Sequence, residues 1–158
     1  MKTHRIVLVA AALGVLALAG SAFGQAAHSS GATVVTTKKY SFGTILVTSS
    51  GQTLYLDAAD KPGHPACKGG CLSVWPALKT SGAPKAAGSA KASLLGTAKI
   101  AGGVKQVTYD GHQLYTFASD TKSSPTSGEG ISGFYVLSAT GAKITSTTKK
   151  PKPSESGY

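Results

Sequence analysis

Arginine is nearly missing from this 158-residue chain: Arg5 is the only one, and every later cation is a lysine. Bidentate reading of phosphates and guanine edges favours arginine, so sequence-specific nucleic-acid recognition is not expected, and the lysines are scattered rather than gathered in a stripe. Acids are scarce as well, limited to Asp57, Asp60, Asp110, Asp120, Glu129 and Glu155. Single, scattered acids make a poor calcium cage and offer no evident carboxylate pair for glycoside hydrolysis. The two cysteines, Cys67 and Cys71, permit at most one disulfide within the chain. Ser73 sits in no Gly-x-Ser-x-Gly elbow, the Gly128–Gly130 "GEG" opens no helix, and the histidines after His4 have no evident acid partner. A noncatalytic protein without a cofactor is therefore expected. No window of helical period rivals the β signals, although "AKASLLGTAK" could form one turn.

Lys2, His4 and Arg5 precede the apolar run Ile6–Ala19, followed by small residues, which is the layout of a secretory signal peptide. Ala22 and Gly24 suit cleavage before Gln25, giving a signal segment at 1–24, and a cut near Ala26 or Ala27 fits nearly as well. The run is shorter than the roughly 20 residues that span a bilayer, and no later segment is apolar enough. The mature chain is expected to be soluble and monomeric, secreted or held in the periplasm or cell envelope. It keeps fourteen lysines against six acids. Such a balance suits anionic wall polymers, lipid headgroups or polysaccharides, and it equally serves to keep an exported protein dispersed.

The phrase "GQTLYLDAAD" at Gly51–Asp60 returns as "GHQLYTFASD" at Gly111–Asp120. Aligned without gaps at an offset of sixty, Val47 and Thr48 match Val107 and Thr108, Tyr55 matches Tyr115, and Trp75 falls opposite Tyr135. Tandem units too small to bury a face alone bury it against each other. Asp110-Gly111 between runs rich in Val, Thr, Tyr and Phe marks a hairpin, and Ser50-Gly51 takes the same role in the first unit. With "LSVWPAL" and "SGFYVLS" as third strands, each unit reads as a three-stranded meander, and "ATVVTTK" and "GAKITS" offer further strands. Leu54 and Leu56 share one face while Tyr55 and Asp57 share the other, so these strands should lie between two layers, in a small sandwich or a barrel.

The predicted architecture is all-β: two related three-stranded antiparallel units in one domain at 39–147, stapled by a disulfide. A flexible linker at 25–38 precedes it. Repeat one spans about 44–78, a linker of Ala, Gly, Ser and Lys covers 79–103, and repeat two spans about 104–138. A disordered basic tail follows at 148–158, where Lys149, Lys150 and Lys152 are candidate anion contacts.

In an exporting compartment Cys67 and Cys71 most simply form a disulfide, with Gly69 and Gly70 easing the tight closure. The alternative joins His64, Cys67 and Cys71 in a copper or zinc site, with His112 approaching from the other unit, and would make the protein a metal-handling or redox accessory. Tyr55, Asp60, Tyr115 and Asp120 also carry two readings. Each tyrosine could brace the sheet while each aspartate closes an Asx-type turn through N–H groups two or three residues on. In the other, the four converge on a ligand or cation between the units. Trp75 reads as core rather than ligand platform.

Tyrosine, four residues, then aspartate occurs twice, at Tyr55 to Asp60 and Tyr115 to Asp120, alongside "CKGGCLSVWPAL" and "SLLGT" ahead of "QVTYDGHQLYTFASD". Over about Ile45–Leu137 the chain resembles a family of tandem secreted repeats, also described as predicted lipoproteins. The resemblance implies an exported repeat module and no established catalysis. Where lipoprotein members carry an acylated cysteine after "LALAG", this chain has Ser21, so an acyl anchor is not expected. The expected role is a noncatalytic envelope or extracellular binding module.

Overall fold

The computed structural model describes residues 32–122 and 125–145, so the signal segment and the basic tail with Lys149, Lys150 and Lys152 lie outside the described residues. In chain order the elements are β1 (Val34–Tyr40), β2 (Gly43–Thr48), β3 (Tyr55–Asp57), a one-turn helix α1 (Cys71–Val74), β4 (Lys79–Thr80), β5 (Lys85–Ala86), β6 (Leu95–Lys99), β7 (Lys105–Tyr109), β8 (His112–Gln113), β9 (Phe134–Leu137) and β10 (Lys143–Ile144). They form small sheets ordered β2-β1-β5, β10-β9-β3 and β4-β7-β6, with β8 on β7, and among the described residues these do not close into a barrel. Pairing is antiparallel except between β1 and β5. The expected all-β architecture of two related antiparallel units is the one found.

Turn chemistry sets the hairpins. Asp110 and Gly111 both take positive φ, 51° and 80°, as a type I′ turn requires. The first repeat's turn is longer: the Gly51 N–H donates to the Thr48 carbonyl, the Thr48 N–H donates to the Gln52 carbonyl, and only Gly51 has positive φ. That extra residue shifts the correspondence between repeats. The Leu54 N–H meets the Leu46 carbonyl as the Leu114 N–H meets that of Val107. Leu46, not Val47, is therefore the counterpart of Val107, and the gapless alignment is wrong along this strand.

The third strands are not where a meander would put them. β9, from the second repeat, pairs with β3 of the first: Tyr55 faces Val136, Leu56 faces Tyr135 and Asp57 faces Phe134. Reciprocally, the first repeat's third run pairs with the second repeat, Ala77 facing Tyr115 and Lys79 facing Gln106. The two repeats exchange strands. Leu72–Val74 of the expected strand "LSVWPAL" instead form part of α1, because the Cys67–Cys71 bridge closes the chain into a turn just ahead of them.

Both faces of the exchanged sheet are covered, as the alternation predicts. Tyr55, Tyr115, Trp75, Phe117 and Phe134 gather on one side with Ile45 and Val136. Leu54, Leu56, Leu114, Leu137, Val107 and Tyr109 gather on the other. The segment 79–103 carries β4, β5 and β6, with a 3-10 turn at Ala92–Leu94 where one turn was expected. Its small residues gave little hydrophobic signal, yet β6 pairs along its whole length with β7. β1 likewise begins inside 25–38, where Val34 to Thr37 supply β-branched residues suited to a strand.

Candidate functional site

The repeated tyrosines meet at the centre of the exchange. The Tyr55 N–H donates to the Tyr115 carbonyl and the Tyr115 N–H donates to the Tyr55 carbonyl, each at 2.9 Å. This reciprocity is the signature of a two-fold relation between the repeats. Other contacts obey it. The ring of Trp75 stacks on Phe134 at 3.8 Å. The Ala58 N–H reaches the Gly133 carbonyl and the Ala118 N–H that of Val74. Thr53 and its counterpart Gln113 also donate to the segment after the other repeat's aspartate, though to acceptors that are not counterparts, Thr53 Oγ1 to the Pro125 carbonyl and Gln113 Nε2 to that of Lys61. By position, then, the partner of Trp75 is Phe134, not Tyr135.

Each tyrosine reaches the aspartate of the other repeat. Tyr55 Oη donates to Asp120 Oδ2 at 2.7 Å, and Tyr115 Oη donates to Asp60 Oδ2 at 2.9 Å. The remaining carboxylate oxygens are engaged too. Asp60 Oδ1 accepts from the Ala66 N–H at 2.7 Å, and Asp120 Oδ1 accepts from the Ser127 N–H and hydroxyl at 2.9 and 2.8 Å. The expected Asx turn two or three residues on is not what these acids make; their backbone donors lie six and seven residues ahead. Asp57 makes that short turn instead, accepting from the Ala59 N–H. A tyrosine–aspartate spacing cannot reveal that the partners cross between repeats.

The phenols are fully buried residues, and the burial has an electrostatic consequence. Loss of hydration, reinforced by the hydrogen bond to Asp120 and its charge, holds Tyr55 far above the usual tyrosine range; burial and Asp60 do the same to Tyr115. Burial also raises the pKa of Asp60 and Glu129, although backbone N–H donors from Ala66 and Val136 pull each part of the way back. A tyrosine pKa raised on folding contributes stability that is complete below the unfolded value of about 10 and is lost as pH rises beyond it. Tyr55 and Tyr115 are thus expected to ionise only as the protein unfolds in alkali. Tyrosinate absorbance followed with near-ultraviolet circular dichroism checks this: both should change together above pH ~10. Full tyrosine ionisation with an unchanged dichroism signal would contradict it.

Cys67 and Cys71 are joined as a disulfide, with Cα atoms 5.4 Å apart. Cys67 is buried against the aromatic cluster, so the bridge fixes the entry to α1 beneath Trp75. Loop closure this short should stabilise by less than the ~3 kcal/mol of a fifteen-residue loop. Both sulfurs are engaged with each other, leaving His64 no thiolate beside it, and among the described residues no three His, Cys, Asp or Glu side chains cluster as metal ligands. Trp75 is 3% exposed and belongs to the core.

An open cleft of about 540 Å³ lies beside Asp120, between the first hairpin turn and the segment after Asp120. Lys38 and Lys122 line it with Ser50, Gln52 and Thr53. Among the described residues the only acid lining it is Asp120, whose two oxygens already accept three hydrogen bonds from the protein. Sequence reading missed this grouping, because Lys38 and Lys122 are brought together only by the exchange.

Among the described residues no helix is long and apolar enough to cross a membrane. No curated protein and no solved structure matches the chain. One family does, described as a secreted repeat of unknown function, and it matches twice in tandem, at residues 32–79 and 96–135. Both matches begin upstream of the hairpins, taking in β1 and β6 as the first strand of each unit. With more than half its length in these two copies, the chain belongs to the family of secreted repeats of unknown function.

Proposed function

We propose that the protein is an exported, noncatalytic module that holds anionic polymers of the cell surface, with segment 1–24 directing export. The observation that carries this reading is the cleft beside Asp120. It gathers Lys38 and Lys122 among hydroxyl and amide groups, and both oxygens of the Asp120 carboxylate are occupied by the protein's own hydrogen bonds. Ammonium groups on flexible stems suit phosphate or carboxylate groups spaced along a polymer, where many weak contacts add up. Asp60 and Asp120 are held as structural acceptors, which supports binding rather than catalysis. Lys149, Lys150 and Lys152 add three further cations in the sequence after Thr148.

Retention of the protein on isolated cell walls is expected to fall steeply between low and physiological salt, because exposed charges more than about 10 Å apart are screened at 0.1 M. Lys38→Glu with Lys122→Glu should weaken retention further, and deletion after Thr148 should weaken it again. Retention that persists at high salt, or survives both changes, would overturn the reading.

A further inference from the structure

The two-fold relation makes it possible to ask what one repeat has that its twin lacks. At the end of the β1–β2 pair Tyr40 faces Gly43, and at the end of the β6–β7 pair the Ile100 N–H donates to the Val104 carbonyl, so these two turns are counterparts. In the first, Tyr40 and Phe42 stack at 5.3 Å and pack against the aromatic core together with Ile144. β10, which carries Ile144, lies along the outer edge of β9: Ile144 faces Val136, and the Ser138 N–H donates to the Ala142 carbonyl. The chain thus covers this place with its own aromatic turn and its own short strand.

The counterpart place is open. Its turn reads Ala101-Gly102-Gly103 and brings no large side chain. The counterpart of Val136–Ser138 is Ala77–Lys79, since Ala77 faces Tyr115 as Val136 faces Tyr55, and Lys79 faces Gln106 as Ser138 faces Ile45. Leu78 spends its N–H on the Leu114 carbonyl and its carbonyl on the Val107 N–H. Strand alternation therefore turns the polar groups of Ala77 and Lys79 outward. Among the described residues no strand lies along that edge; Thr33 sits at its far end, donating its hydroxyl to the Lys79 carbonyl. What remains is a groove of about 290 Å³, floored by Leu72 and Ala77, walled by Ile100 and Val104, and rimmed by Lys68 and Lys79, with no acid among the described residues lining it.

We propose that this groove docks an extended segment of another protein. The segment adds as a strand to the outer edge of Ala77–Lys79, sets a branched aliphatic side chain between Leu72, Ile100 and Val104, and places carboxylates against Lys68 and Lys79. The chain's own β10 is the template: at the twin site a short strand supplies edge hydrogen bonds and an isoleucine that fills the notch. Edge bonds give such docking its affinity and the side-chain pocket gives it selectivity. The lysine rim calls for acids two residues before and after the aliphatic residue, on the same face of the strand. This site is separate from the cleft beside Asp120 and does not depend on it.

The test uses the full exported chain and a short synthetic peptide with one isoleucine and an aspartate two residues before and two residues after it, fluorescently labelled and followed by polarisation. Saturable binding is expected, weakened about tenfold by Lys79→Glu or Lys68→Glu. Ala101→Phe should abolish it, because the new ring fills the groove as Phe42 does its twin. A peptide N-methylated at alternate amides, unable to pair with an edge, should not bind. Thermal melting identical to the unmodified chain keeps Ala101→Phe interpretable, and the lysine variants, on exposed side chains, give a second route. The proposal is overturned by no binding at millimolar peptide, by equal binding of the N-methylated peptide or of the Ala101→Phe variant, by equal binding of polyaspartate, or by displacement of the peptide with dodecanoate at lower concentration than the unlabelled peptide itself.

Discussion

Cut between Ser89 and Ala90, in the exposed turn between the repeats, the chain is expected to give two fragments that are each unfolded alone and that fold together when mixed one to one. Each fragment would hold a hairpin without the strand that completes it: β3 would lose β9, and the second hairpin would lose Ala77–Thr80. Trp75 and Phe134, 3% and 2% exposed in the intact chain, would lose each other. A buried aromatic ring covers about 150–250 Å², and at ~25 cal/mol/Å² its exposure costs about 4–6 kcal/mol. Two such losses match the ~5–15 kcal/mol that stabilises a whole domain. Circular dichroism of the separate and mixed fragments checks this. A fragment that melts cooperatively as a monomer would show that the exchanged strands are dispensable.

The same exchange explains what the sequence could and could not disclose. Strand-forming runs, the Asp110-Gly111 turn, the cysteine bridge and the burial of both sheet faces are local properties, and local chemistry was enough to read them. Partnership is not local. Nothing in "SGFYVLS" says whether Phe134–Leu137 pairs within its own repeat or with β3, because both hairpins present nearly the same edge. The gapless offset misled for a physical reason as well. The first hairpin turn holds an extra residue, the β6–β7 turn is longer than the β1–β2 turn, and the stretch from Asp120 to Phe134 is shorter than that from Asp60 to Trp75. These differences nearly cancel, so identities at Val47 and Val107 look homologous while the hydrogen bonds align Leu46 with Val107. The tyrosine–aspartate phrase was legible as a repeated constraint, but its crossed geometry follows only from the two-fold relation.

Trp75→Ala is expected to cost about 3–5 kcal/mol, the range for removing a large buried aromatic and leaving a partly uncollapsed cavity. Collapse is hindered here because the ring is enclosed on several sides. Phe134 stacks on it at 3.8 Å, Phe117 lies at 4.5 Å and Tyr55 meets it edge-on at 5.2 Å. The chain near Gly128 is also so close that a Cβ there would lie 2.7 Å from Trp75 Cη2. Phe134→Ala should cost about as much, being the symmetry counterpart. The stack belongs to both residues, so removing the second ring forfeits less than removing the first, and the double variant should fall short of the sum by about 1 kcal/mol. Urea unfolding of the two single variants and the double variant measures all three terms. A Trp75→Ala cost under about 0.5 kcal/mol, within the ordinary range for a surface change, would mean that the aromatic stack is not what joins the repeats. Additive costs would mean that Trp75 and Phe134 stabilise their own repeats separately, and the two-fold core would lose its physical basis.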